Sequence, residues 1–166
     1  MPKYTYRTAT SSDSEKLIEV GLKSFGQMKD QLTDSNWKRL EAYLTAENTY
    51  PDLLNKSTCF VCEHHDGIVG MAFLIPSGNP TDIFDENWSY LRMVGVNIEY
   101  AGAGIGTALT RMCIDHAIKT NEQTIALHTS ELMNAARYIY EKLGFKKIRE
   151  LDARFGKRYW LYLLEL

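Results

Sequence analysis

The run Val94-Gly-Val-Asn-Ile-Glu-Tyr-Ala-Gly-Ala-Gly-Ile-Gly-Thr-Ala-Leu109 decides how the rest of the chain is read. Its pattern is that of a strand delivering a glycine-rich turn into a helix. Gly102, Gly104 and Gly106 alternate with small residues, so backbone N–H groups lie bare at the helix start, where any larger side chain would hold a ligand off. First-turn amides have no intrahelical acceptor, and the helix dipole adds partial positive charge there, so a phosphate is the ligand most easily held. A charge-assisted hydrogen bond contributes about 1.5–3 kcal/mol, so three such amides can anchor a pyrophosphate without Lys or Arg.

Working outward from this turn, Ile105, Ala108, Leu109, Met112, Cys113 and Ala117 mark the buried face of a helix over 104–119. A short strand is expected over 124–128. A helix follows over 131–143, with Leu132, Ala135, Ala136, Ile139 and Leu143 on one face and Gly144 as its C-cap. Strands over 146–151 and 158–164 close the chain, joined through Arg154-Phe-Gly-Lys. On the other side of the turn, 90–97 reads as a strand buried on both faces, with Gly95 marking a bulge. Strands over 58–64 and 68–75 form a hairpin around Asp66-Gly67, and 4–9 alternates as an opening strand. Between them, Ser12-Asp-Ser-Glu15 has the form of a capping box ahead of a helix ending at Gly26. A second helix starts near Asp34, presents Trp37, Leu40 and Leu44, and fades before Tyr50-Pro51. Strand, two helices, three strands, helix, strand, helix, two strands is the order of a mixed α/β or α+β sheet flanked by helices, in a single domain over 1–166.

Composition narrows the function. The chain has 166 residues with 19 basic and 21 acidic side chains, which is not the basic excess that nucleic-acid or anionic-membrane binding demands. The longest apolar runs, 68–76 and 159–164, fall short of the roughly 20 residues that cross a bilayer. With no apolar signal core at the N-terminus, the expectation is a cytoplasmic protein without nucleic-acid or membrane partners. Cys59 and Cys62 sit at an odd offset in a strand, which sends them to opposite faces and makes them structural thiols rather than a metal or disulfide pair. His64-His65 reads as part of the turn, so no metal is expected.

Nucleotide readings of the glycine turn fail on spacing. A dinucleotide motif would place its third glycine at Thr107, and a phosphate-binding loop of the Gly-Lys-Ser/Thr kind would replace Gly106-Thr107-Ala108. Val96-Asn-Ile-Glu-Tyr-Ala-Gly-Ala-Gly-Ile-Gly106, followed by Ala136 and Tyr140-Glu-Lys-Leu-Gly-Phe145, resembles the GNAT superfamily of N-acetyltransferases. Ala101 stands where that family usually has Arg or Gln, Ile98 where many members have proline, and Met133 where an asparagine is common, with Asn134 one position later.

The resemblance implies a mixed, mostly antiparallel sheet of about six or seven strands with about four helices, and acetyl-CoA as co-substrate. Its pyrophosphate would lie on Ala101, Gly102, Ala103, Gly104, Ile105, Gly106 and Thr107, and its pantetheine beside Val94, Gly95 and Val96 if the sheet splays after Gly95. Ala136 and Tyr140 would complete the site. Tyr140 occupies the family's position for protonating the departing thiolate. The other reading of Tyr140 is a phenol that packs and hydrogen-bonds sulfur without proton transfer. Glu86, Glu131 and His128 are base candidates by residue type, with a water chain as the alternative. The acceptor, an amine of a small molecule or peptide, would sit near 25–37 and Phe155, against Trp37, Tyr43, Trp88 or Tyr159. Asp82, Asp85 and Glu86 would favour a cationic amine there, or simply form an acidic surface loop. A non-catalytic acyl-CoA-binding module stays open beside the enzyme, as does, more weakly, a nucleotide-binding regulatory domain. The oligomeric state stays open, a homodimer included.

Overall fold

Strand β4 (Ser89–Val96) is the point where the sheet changes character. In this computed structural model, which describes residues 3–65 and 67–166, seven strands form one sheet in the order β1-β2-β3-β4-β5-β7-β6. The other strands are β1 (Thr5–Thr8), β2 (Thr58–His64), β3 (Gly67–Ile75), β5 (Thr124–Ser130), β6 (Lys146–Arg154) and β7 (Lys157–Glu165). All neighbours are antiparallel except β4 and β5, whose parallel pairing covers only Ser89 with Ile125 and Tyr90 with Ala126. Beyond Tyr90 the two strands part, so the sheet opens earlier than the expected point after Gly95.

A bulge drives the opening. Met71 faces Gly95 and Phe73 faces Arg92, so β4 carries one residue more than β3 across this interval, and Met93 takes φ of 51°. The irregularity expected at Gly95 therefore sits at Met93 and Val94. Gly95 has a different job, because a Cβ there would lie 2.9 Å from Ser24 Oγ and 3.4 Å from Phe25 Cε2. Its bare backbone lets the end of helix α1 (Ser14–Phe25) seat against β4, and Ser24 Oγ accepts the Val96 N–H at 3.1 Å.

Helices cover both faces. On one, α1 and α3 (Thr49–Lys56) bury Leu17, Val20, Tyr50 and Leu53 against Val61, Met71, Phe73 and Ile75. On the other, α4 (Ile105–Lys119) and α5 (Asn134–Lys142) bury Ile105, Leu109, Cys113 and Tyr140 against Ala72, Leu74, Leu127 and Tyr162. Cys59 belongs to the first core and Cys62 to the second, as the odd offset requires. Helix α2 (Asp34–Thr45) caps the first face near its open end, its N-terminal amide of Asn36 held by Thr33 Oγ1.

The sequence order is matched with one addition, α3, making five helices among the described residues rather than about four. Tyr50-Pro51 reads as a stop, yet Pro51 lies in the first turn of α3, where its missing N–H costs nothing. The capping box also shifts. Asp13 rather than Glu15 closes it, accepting the Thr10 N–H at 2.8 Å while both its oxygens bind Arg7, and a 3-10 turn over Ser11–Asp13 precedes α1. In the β2–β3 hairpin His64 pairs with Gly67, and Asp66 lies outside the described residues.

Candidate active site

The loop after β4 makes a 3-10 turn over Ile98–Tyr100 and reaches α4 through Gly102 and Gly104, at φ of 79° and 81°. Both glycines are required by these left-handed values. A Cβ on either would meet nothing within 4 Å, so the backbone here borders open space. Ala108 N–H donates to Gly104 O at 3.0 Å, which is the first bond of the helix. The amides of residues 102–107 have no acceptor among the described residues, and no side chain caps the helix. These are bare donors at the positive end of a 15-residue helix.

They open onto a cleft of about 570 Å³ between β4, α4 and α5, roofed by the 3-10 turn over Gly26–Gln31. Of the residues expected from sequence, Val94, Val96, Ala101, Gly102, Gly104, Ile105, Gly106, Thr107, Ala136 and Tyr140 line it. Gly95 and Ala103 do not; Gly95 faces Ser24 instead. A Cβ at Gly106 would reach Ile139 Cδ1 at 3.4 Å, where α4 and α5 meet along the cleft wall. Ser24, Gln27 and Met28 also line it. The sequence carries one faint signal for Ser24, namely that Gly95 leaves room for it.

A second cavity of about 290 Å³ continues past β4, and Phe25, Met28, Val94, Met133, Ala136 and Tyr140 border both. Tyr140 thus stands where the two spaces meet. It is 6% exposed and packs edge-on against Phe145 at 5.7 Å between ring centroids. Burial pushes its phenol well above the ordinary tyrosine range, with a smaller push from Cys113, so it stays protonated at neutral pH.

The second cavity is walled by α2, β5 and the β6–β7 hairpin tip, where Phe155 takes φ of 53° beside Gly156 and Arg39 stacks over the Phe155 ring at 5.5 Å. Tyr43 and Tyr159 line it, as does Phe155. Trp37 and Trp88 do not; Trp37 is buried beneath α2 and Trp88 packs against the core of the α1 face. Of the three base candidates only His128 lines it, and Glu86 and Glu131 line neither cavity. His128 stacks on Phe84 at 5.9 Å and meets Tyr159 edge-on at 5.5 Å. Its Nδ1 is buried without a partner among the described residues. Burial lowers its pKa to about 3, reinforced by Arg92 and Arg154, so the ring is neutral. Asp82, Asp85 and Glu86 also stay outside, and the cavity's charged side chains are Arg92 and Arg154.

Residues 25–145 match the sequence model of the acetyltransferase (GNAT) family. The chain belongs to that family. A relative from Xenopus tropicalis, "Probable N-acetyltransferase camello", is 34% identical over 107 residues, covering 64% of this chain and 46% of its own. The chain spans half or less of the length of the curated relatives it matches. Among solved structures, the PaiA N-acetyltransferase of Thermoplasma acidophilum, determined in complex with coenzyme A, superposes with a TM-score of 0.77 at 17% identity over 100% of both chains. Ribosomal-protein-alanine N-acetyltransferase from Brucella melitensis gives 0.74 at 22% identity over 98% of this chain and 99% of that one. These likenesses show the GNAT fold. Among the described residues no helix is long and apolar enough to cross a membrane, and no cluster of three metal-ligating side chains occurs.

Proposed function

We propose that this chain is an acetyl-CoA-dependent N-acetyltransferase that transfers the acetyl group directly to an amine. The carrying observation is the meeting of two cavities at Val94 and Tyr140, one of them ending on the unpaired amides of residues 102–107. Those amides fit a pyrophosphate, since they are donors without acceptors beside open space that a Cβ would fill. The parted backbone of β4 fits the amide-rich pantetheine arm, which would lie along it as an added strand. When bound, acetyl-CoA supplies the acetyl group as an activated thioester.

The protein's own part is positioning and proton management. Val94 and Tyr140 border the place where the thioester must end, and the second cavity presents an amine to it. As the new C–N bond forms and the C–S bond breaks, the buried Tyr140 phenol donates its proton to the departing sulfur and is reprotonated from solvent. The amine's own proton leaves through water, since no carboxylate lines either cavity among the described residues. Neutral His128 is available to accept a hydrogen bond from the acceptor. A thiol-release assay with acetyl-CoA over a broad amine panel tests the reading. Turnover with at least one amine, lost in Tyr140→Phe mainly through kcat, is the expected result. Acetyl-CoA binding without turnover on any amine would overturn it in favour of an acyl-CoA-binding module.

A further inference from the structure

Arg92 is the last residue of β4 before the bulge, and its guanidinium Nη2 donates to Tyr43 Oη at 3.0 Å. Arg154 ends β6 at the hairpin tip, 3.8 Å from Asp82, whose side chain is 82% exposed. Both line the second cavity, among Leu40, Leu44, Leu91 and Leu127. A guanidinium beside apolar walls ordinarily finds a carboxylate, because its fork of donors loses water there and needs acceptors in return. Here Arg92 has a phenol as its partner at the cavity's exposed rim, and Arg154, its side chain 37% exposed, has the long contact to a solvated aspartate. His128 adds no positive charge, since its ring is neutral. A cavity with two incompletely paired forks, no carboxylate of its own among the described residues, and an aromatic wall is built to receive an anion.

Resting on the acetyltransferase reading, we infer that the acceptor is a free amino acid, its amine turned toward Val94 and Tyr140 and its carboxylate held between Arg92 and Arg154. The volume of about 290 Å³ suits a molecule of that size. A cationic polyamine would meet two like charges in the same space. This is the reverse of the preference that Asp82, Asp85 and Glu86 suggest from sequence.

The test compares each of the twenty amino acids with its own amide and its own decarboxylated amine, at fixed acetyl-CoA, by thiol release. A short peptide with each preferred residue at its N-terminus separates a free carboxylate from a peptide acceptor. For the preferred residue, kcat/KM should favour the free acid by about tenfold to a hundredfold, the worth of one hydrogen bond between charged partners. Arg92→Gln and Arg154→Gln should each raise KM for the acid and shrink the acid-to-amide ratio at least tenfold. Equal or better use of the amide, the amine or the peptide would overturn the inference while leaving the acetyltransferase reading intact. Should no amine turn over at all, thermal shift with N-acetylated amino acids and their amides, in the presence of CoA, decides the same question. Stabilisation by an acid and not its amide, lost in Arg92→Gln, supports the carboxylate subsite, and no difference in any pair refutes it.

Discussion

Gly104 offers a test in which backbone strain and ligand binding come apart. At φ of 81° it occupies the left-handed region, and a side chain there would project into the open space before the bare amides of α4. Gly104→Ala should cost roughly 1–2 kcal/mol of stability from the left-handed backbone alone. For a chain of this size that is about 2–8 °C in Tm. Gly78 provides the control, because it sits at φ of 91°, also meets nothing within 4 Å, and lines neither cavity. Gly78→Ala therefore carries the same strain without touching the cleft. In calorimetric titration with CoA, Gly104→Ala should weaken binding about tenfold to a hundredfold, the equivalent of one displaced charge-assisted hydrogen bond of about 1.5–3 kcal/mol. Gly104→Val should weaken it further, and Gly78→Ala should bind as the parent does. Folded Gly104→Val with parental affinity would refute the claim that these amides grip a diphosphate.

Other perturbations reach the remaining parts. Tyr140→Phe should lower kcat more than it changes KM; and because the parent phenol titrates above the ordinary range, the parent's kcat should show no alkaline fall from this group up to about pH 10, read from a pH–rate profile. A Cβ at Gly21 would collide with the Tyr50 hydroxyl, which is itself buried without a partner among the described residues, so Gly21→Ala should lose about 1–3 kcal/mol and recover much of it in a Tyr50→Phe background, measured by denaturant unfolding. His128, with a folded pKa of about 3 against 6.5 unfolded, binds its proton more readily when unfolded, so stability should decline as pH falls from 6.5 toward 3. His128→Phe should flatten that decline in thermal melts taken across the same range. Asp13, held down to about 2 by Arg7, contributes stability above pH 3.8 that is lost as pH falls toward 2, and Arg7→Met should remove about 1.5–3 kcal/mol at neutral pH.

Much of this was legible in the residues. Alternation and helical spacing report burial directly, so the strands and the faces of α4 and α5 follow from the positions of their apolar residues. The glycine turn was readable because left-handed backbone and close ligand approach both demand glycine. What was misread depends on contacts between distant segments. Nothing near Tyr50-Pro51 distinguishes a helix stop from a first helical turn, and α3 is fixed by burying Tyr50 and Leu53 under the sheet. Gly95 looks like a bulge residue until Ser24 is seen against it, while the actual bulge falls on Met93, an ordinary-looking strand residue. The acceptor cavity was the least legible part. Arg92 and Arg154 lie far apart in sequence and nothing local joins them, whereas the acidic run of Asp82, Asp85 and Glu86 attracts notice and stays outside.

Backbone amide NMR during titration with CoA tests the central claim residue by residue. The account requires the largest shift changes at the amides of residues 102–107, with a second set at Val94 and Val96 along the parted strand. Unmoved amides at the front of α4, with CoA bound and its perturbations clustered elsewhere, would contradict it.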